Sequence, residues 1–154
     1  MHSSPAGFRR ALVALDGSTP AERVVPWLRR LLAPGAEVHL LTVLPPAQAV
    51  VTEAGTIYAD QVESSASLAA LGALGVVAGR LGADRVCSTS HVRFGDPARL
   101  ILATAREADA EVIAMTAGEE RPWWRRPRGN VTERVMGQSR VPVLVARARG
   151  QRGA

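Results

Sequence analysis

Asp16 follows directly on the apolar run Ala11-Leu12-Val13-Ala14-Leu15, and a carboxylate at the end of such a run can contact a ligand or move a proton. Ser18 lies two residues further on but has no base near it in sequence. His39 and His91 fall inside expected strands, where they read as core or edge residues, and His2 sits in the expected mobile start of the chain. No two of these histidines have metal-ligand spacing, and a single cysteine, Cys87, allows neither an internal disulfide nor a multi-cysteine site. No metal is therefore expected, and Cys87 reads as a small buried hydrophobe. Asp16 is left as the only acid–base candidate, and no enzymatic activity is indicated.

A second candidate region runs from Thr116 to Asn130, TAGEERPWWRRPRGN. Gly129 would let an anion approach the backbone, and Asn130 would cap a helix whose amino-terminal dipole favours negative charge. Asn130-Val131-Thr132-Glu133 is equally a capping box that needs no ligand. A phosphate loop works because free N–H groups surround the phosphate oxygens. Here Glu119 and Glu120 place two carboxylates in that position, and Pro122 removes a donor. Arg121, Arg125, Arg126 and Arg128 offer another route, holding an anion by guanidinium groups, or they pair with the two glutamates across a solvated loop. Trp123-Trp124 beside these arginines suits base stacking, a protein interface, or a lid over an empty crevice. No basic stripe extends beyond this segment, so nucleic acid is not the expected partner.

The elements that must position these residues alternate between strand and helix. Residues 11–15, 38–44, 86–94, 111–116 and 141–146 read as strands, the first as a continuous apolar run buried on both faces. Thr19-Pro20-Ala21-Glu22 is a capping box with proline at the first helical position. It opens a helix carrying Ala21, Val24, Leu28, Leu31 and Leu32 on one face, which Pro34-Gly35 ends. Residues 47–58 read as loop. A long helix spans Asp60 to Leu81, with Val62, Ala66, Ala69, Ala73, Val77 and Leu81 inward and Gly72, Gly75 and Gly79 as close-packing positions. Gly95-Asp96-Pro97 caps a helix through Ala108 that turns Ile101, Leu102 and Ala105 inward.

Five strands alternating with four helices imply an α/β fold: a parallel, doubly wound sheet with helices on both faces. The flavodoxin-like order 3-2-1-4-5 would place a ligand at the carboxyl ends of the strands, with Asp16 and the 116–130 loop on the same edge. At 154 residues and 47% apolar, the chain fits one domain, with about 1–8 and 147–154 as mobile tails. All 19 basic residues are arginine, which excludes a Walker-type lysine and Schiff-base chemistry. MHSSPAGFRR has no apolar signal region, and the uncharged run from Ser64 to Gly79 falls short of the roughly 20 residues that span a bilayer. A cytoplasmic protein without a membrane role is expected.

Three segments in order carry a resemblance over nearly the whole chain: Ala-Leu-Val-Ala-Leu-Asp-Gly-Ser at 11–18, Gly95-Asp96-Pro97-Ala98, and Gly129-Asn130-Val131-Thr132-Glu133-Arg134-Val135. Together with Val112-Ile113-Ala114-Met115 and Val141-Pro142-Val143-Leu144-Val145, they resemble the universal stress protein family. That resemblance implies an adenosine contact by Asp16, packing on the base near Val43, and the end of a phosphate loop at Gly129-Asn130. The family's nucleotide-binding members carry Gly-x-x-Gly ahead of that end, and the matching positions here are Thr116 and Glu119, with Gly118 one position out of register. It further implies a homodimer through the last strand, using Val141, Val143 and Val145. Three functions are consistent with this sequence. One is a dimeric stress-response protein with a degraded nucleotide site, acting on an unknown protein partner. Another is a binder of ATP or a related adenine nucleotide through an altered, arginine-containing loop, and the last is an anion or nucleic-acid binder using residues 121–128.

Overall fold

The computed structural model describes residues 6–17, 20–117 and 131–147. Strand β1 (Phe8–Ala14) leads through a 3-10 turn (Pro20–Arg23) into α1 (Val24–Leu31) and β2 (Leu32–Leu44). A small hairpin, β3 (Val50–Thr52) and β4 (Gly55–Ile57), precedes the long helix α2 (Ala59–Leu81). Then come β5 (Val86–Phe94), α3 (Pro97–Glu107), β6 (Val112–Ala117), α4 (Val131–Gln138) and β7 (Val143–Arg147). The main sheet has the order β5-β2-β1-β6-β7, and every pairing in it is parallel. Counted as main strands, this is the expected 3-2-1-4-5. Strands β1 and β7 reach one residue into each expected tail, to Phe8 and Arg147.

Burial explains the layering. On β1, Ala11, Leu12 and Val13 are all fully buried, so both faces of the central strand need cover. Ala11, Val13 and Leu15 pack with Val24, Val25 and Leu28 of α1 and Leu74, Val77 and Leu81 of α2. Leu12 packs on the other side with Ala98, Ile101 and Ala105 of α3 and Val135 of α4. Right-handed crossovers in a parallel sheet deliver the two helix pairs to opposite faces. Helix α2 is the one helix among the described residues long and apolar enough to cross a membrane, and it packs on the sheet as a helix of the fold.

At the carboxyl pole of the sheet, α3 is tied to α4. Asp96 caps α3 by accepting from the Arg99 N–H at 3.0 Å, and both its oxygens accept from Arg134 of α4, at 2.9 and 3.0 Å. The Arg134 guanidinium, first, and the Arg99 N–H hold the Asp96 carboxyl below the ordinary aspartate range.

Several local expectations are corrected. Strand β2 begins at Leu32, immediately after α1, because Phe8 pairs with Leu32 across an irregularity before the regular register from Arg10 and Glu37. Pro34-Gly35 lies inside this irregular start instead of ending the helix, and Gly35 takes a positive φ of 76° there. Leu31 is exposed. Residues 50–57, expected as loop, close the antiparallel hairpin. Of the inward positions expected for α2 only Val77 and Leu81 are buried, joined by Leu74. Ala66, Ala69 and Ala73 instead border a hollow that their small side chains cannot fill. Gly72, Gly75 and Gly79 are not close-packing positions, since an added Cβ at any of them meets nothing within 4 Å. Cys87 is exposed, and it lies on β5, the edge strand of the sheet.

Two contrasts test this packing. Gly7 has a φ of 134°, and a Cβ there would sit 2.6 Å from the Ala33 nitrogen. Gly7→Ala should therefore destabilise the protein by about 1–3 kcal/mol in urea unfolding. Gly75→Ala, in open space within a helix, should stabilise it by about 0.5–1 kcal/mol. The Asp96–Arg134 pair should give a pH-dependent difference between wild type and Arg134→Met. A depressed carboxyl contributes stability that is present above its unfolded value and lost as pH falls through the lower folded value. The difference in unfolding midpoint should therefore shrink only below the ordinary aspartate range, and a difference constant from neutral to acid pH would exclude the pair as its source.

Candidate functional site

Asp16 lies two residues beyond the end of β1, on the carboxyl pole of the sheet, where the apolar strand gives way to exposed backbone. It lines a cavity of about 340 Å³ with Leu15 and Gly17, Glu22 of the 3-10 turn, Thr42 and Leu44 of β2, and the α2 residues Ala66, Ala69, Ala70, Ala73, Leu74 and Val77. The volume is at the lower end of the range for small-molecule pockets, about 300–1,000 Å³. Among the described lining residues, only Asp16, Glu22 and Thr42 carry polar side chains. The Glu22 carboxylate is paired with Arg80 of α2, which fixes the 3-10 turn against that helix. Such a hollow suits a flat, largely apolar ring with a few hydrogen-bonding edges, contacted by a carboxylate at its rim.

The structure places the other expected site residues as follows. Val43 is half-buried and packs with the α3 and α4 core, on the face of the sheet opposite the cavity. Alternation along β2 puts Thr42 and Leu44 on the cavity side instead, and Thr42 is only 3% exposed. Val38 and Leu40 precede them at the same parity and are buried in the α1 and α2 layer. That alternation was the signal in the sequence that could have found Thr42 and Leu44. Thr116 is on β6, half-buried and paired in register with Ala146. Gly118, Glu119, Glu120, Arg121, Pro122, Trp123, Trp124, Arg125, Arg126, Arg128, Gly129 and Asn130 lie outside the described residues, as do Ser18, Thr19 and His2. Val141, Val143 and Val145 pack against the α3 and α4 core, and β7 ends the sheet with its outer edge unpaired by any described strand.

A larger hollow of about 670 Å³ sits at the opposite pole, bordered by Arg10, Arg106, Asp109, Ser139 and Arg140. It collects the carboxyl ends of α3 and α4, whose dipoles carry partial negative charge, and arginines there offset those dipoles. Arg10 donates from Nε to the Asp109 carbonyl at 3.0 Å, further tying this rim to the backbone. Size alone does not make it the site. In parallel sheets of this type ligands are held at the carboxyl ends of the strands.

A third polar group was invisible as a group in the sequence. His39 of β2 and His91 of β5 are 52 residues apart, yet His39 Nδ1 and His91 Nε2 are 2.9 Å apart. Glu37 Oε1 lies 2.6 Å from His39 Nε2. Burial first, then the nearby His39 and Arg93, lowers the pKa of His91. Among the described residues, no set of three or more His, Cys, Asp or Glu side chains is arranged to hold a metal ion.

The sequence profile of the universal stress protein family matches residues 7–147. No curated protein matches the sequence significantly. Among solved structures, the chain is similar to the hypothetical protein MJ0577, at a TM-score of 0.75 and 22% identity, covering 93% of this chain and 97% of that one. It is similar to a universal stress protein in complex with cAMP, at a TM-score of 0.63 and 18% identity over 93% and 99% of the two chains. A universal stress protein family protein from Arabidopsis thaliana with AMP bound is also similar, at a TM-score of 0.63 and 14% identity over 92% of each chain. Identities this low speak for the fold, and the profile match speaks for the family. Because that match takes in every strand and helix of the main sheet's two layers, the chain belongs to the universal stress protein family.

Proposed function

We propose that this chain is a non-enzymatic, dimeric stress-response protein that keeps the nucleoside end of the family's site and has lost its triphosphate end. The observation that carries this reading is the asymmetry between the two ends. At one, Asp16 stands over a preformed apolar cavity. At the other, the sequence has Thr116 and Glu119 in place of glycines, followed by Glu120 and Pro122. Two carboxylates near a triphosphate repel it by about 1 kcal/mol per charge pair in water at 4 Å, and more in a cleft. Each missing charge-assisted N–H bond costs a further ~1.5–3 kcal/mol. At about 1.4 kcal/mol per tenfold step, affinity for ATP falls by several powers of ten. Signalling then runs through protein interaction.

A second reading has its own support: relatives of this fold were solved with cAMP and with AMP bound. Arg121, Arg125, Arg126 and Arg128 would then hold a phosphate in place of the glycine loop. Calorimetry separates the two. The native chain should bind ATP no better than weakly, and Thr116→Gly with Glu119→Gly, Glu120→Gln and Pro122→Ala should tighten it. Micromolar ATP binding by the unmodified chain would favour the arginine loop and reject the lost triphosphate end.

The sheet edge supports the dimer. An apolar edge strand is a template for pairing, and β7 is the last strand of the sheet among the described residues, with Val143 and Val145 on one face and Leu144 and Ala146 on the other. A second copy pairing antiparallel along β7 covers it. Sedimentation at micromolar concentration should give the dimer mass. A wild-type monomer under these conditions rules out the dimer.

A further inference from the structure

Among the described residues, the buried polar side chains are those of Thr42, Thr104 and Thr132, which are 3%, 2% and 4% exposed. Thr104 Oγ1 donates to the Leu100 carbonyl at 2.7 Å, and Thr132 also has a partner. The Thr42 hydroxyl differs: no described residue is its hydrogen-bond partner. No fully enclosed side-chain oxygen in the described residues lacks a partner, so this hydroxyl opens onto the cavity that Thr42 lines. Its neighbours give no packing reason for an oxygen. Val38 and Leu40 precede it at the same parity, Leu44 follows, and Val92 is its register partner on β5. Valine has the same branched shape and equal preference for a strand, without the cost of an unpaired buried hydroxyl.

Resting on the nucleoside reading of this cavity, we propose that Thr42 is a specificity-determining residue at its floor. The hydroxyl pairs with the far edge of a nucleobase whose sugar lies at Asp16. Thr42 is buried and Asp16 is exposed, so the two polar groups mark the depth and the mouth of one hollow. Ala66, Ala69 and Ala73 of α2 line the same hollow, and their short side chains leave a wall against which a flat ring can lie. A purely hydrocarbon ring would leave the hydroxyl unpaired inside the complex, at the cost of its desolvation. A nucleobase edge carries ring nitrogens and an exocyclic group, and a threonine hydroxyl turns to donate or accept as that edge requires. The described lining has two carboxylates, Asp16 and Glu22, and no cation, so the part of the ligand inside the hollow is uncharged and any phosphate stays outside. A site built to hydrogen-bond its ligand rejects an analogue that lacks the bonding group, because the site's own polar group is then left without a partner. Thr42 thereby selects a base over an apolar ring of the same shape.

Calorimetry of the full chain with adenosine and with benzimidazole riboside tests this, since the second probe keeps the shape and the sugar but lacks the nitrogens and amino group of the far edge. The wild type should bind adenosine about tenfold more tightly than benzimidazole riboside, and Thr42→Val should lose that preference by binding adenosine about tenfold more weakly. The unfolding midpoint of ligand-free Thr42→Val should equal or exceed that of the wild type. If Thr42→Val fails to fold, the pair Thr42→Ser and Thr42→Ala isolates the hydroxyl, and the serine variant should bind adenosine about tenfold more tightly than the alanine variant. Adenosine bound equally by the wild type and Thr42→Val, or no preference of the wild type between the two probes, overturns the role of Thr42 and leaves the nucleoside reading standing. A lowered midpoint of the ligand-free valine variant overturns it as well, because the hydroxyl would then be bonded within the fold. No binding of adenosine by the wild type rejects the nucleoside reading and the role of Thr42 together.

Discussion

A central strand buried on both faces is the constraint from which the rest of this molecule follows. Ala11, Leu12 and Val13 have no exposed surface, so helices must cover the sheet above and below. Parallel neighbours on either side then require crossovers, and each crossover returns the chain to the same pole. The carboxyl ends of β1, β2 and β6 are brought together there. Asp16 lines the cavity at that pole because of where β1 ends, a placement that depends on the sheet more than on any local motif.

What stands over that pole is decided by side-chain size. Alanines on α2 leave space above Thr42 and Leu44 that leucines would have filled, and the cavity is that space. The Glu22–Arg80 pair fixes one wall and the Asp96–Arg134 clamp fixes the entry to α4. The amino pole has a larger hollow, yet it gathers helix carboxyl ends and the arginines that offset them.

The sheet order and the span of β5 were legible because apolar runs and a proline-marked cap at Asp96-Pro97 leave few alternatives. The start of β2 was not, because Pro34-Gly35 reads as a stop while the strand absorbs it in an irregular register with Phe8. The hairpin at 50–57 is held by only a few backbone pairs and has no apolar periodicity to show it. The glycines of α2 suggested close packing, but they lie on the outward face, where Leu68 and Val76 are exposed as well. Asp16 was readable from its place after a strand, whereas Thr42 and Leu44 required the parity of β2 relative to the sheet. The His39–His91 pair could not be read at all, since it depends on two strands becoming neighbours across 52 residues.

Whether a nucleoside end is kept beside a lost triphosphate end shows in what the protein retains when purified from cells. Denaturing the purified chain and identifying any released nucleotide by mass spectrometry gives the answer without a choice of ligand. No ATP should be released, and any adenine compound found should be a nucleoside or monophosphate. ATP released near one molecule per chain would contradict it.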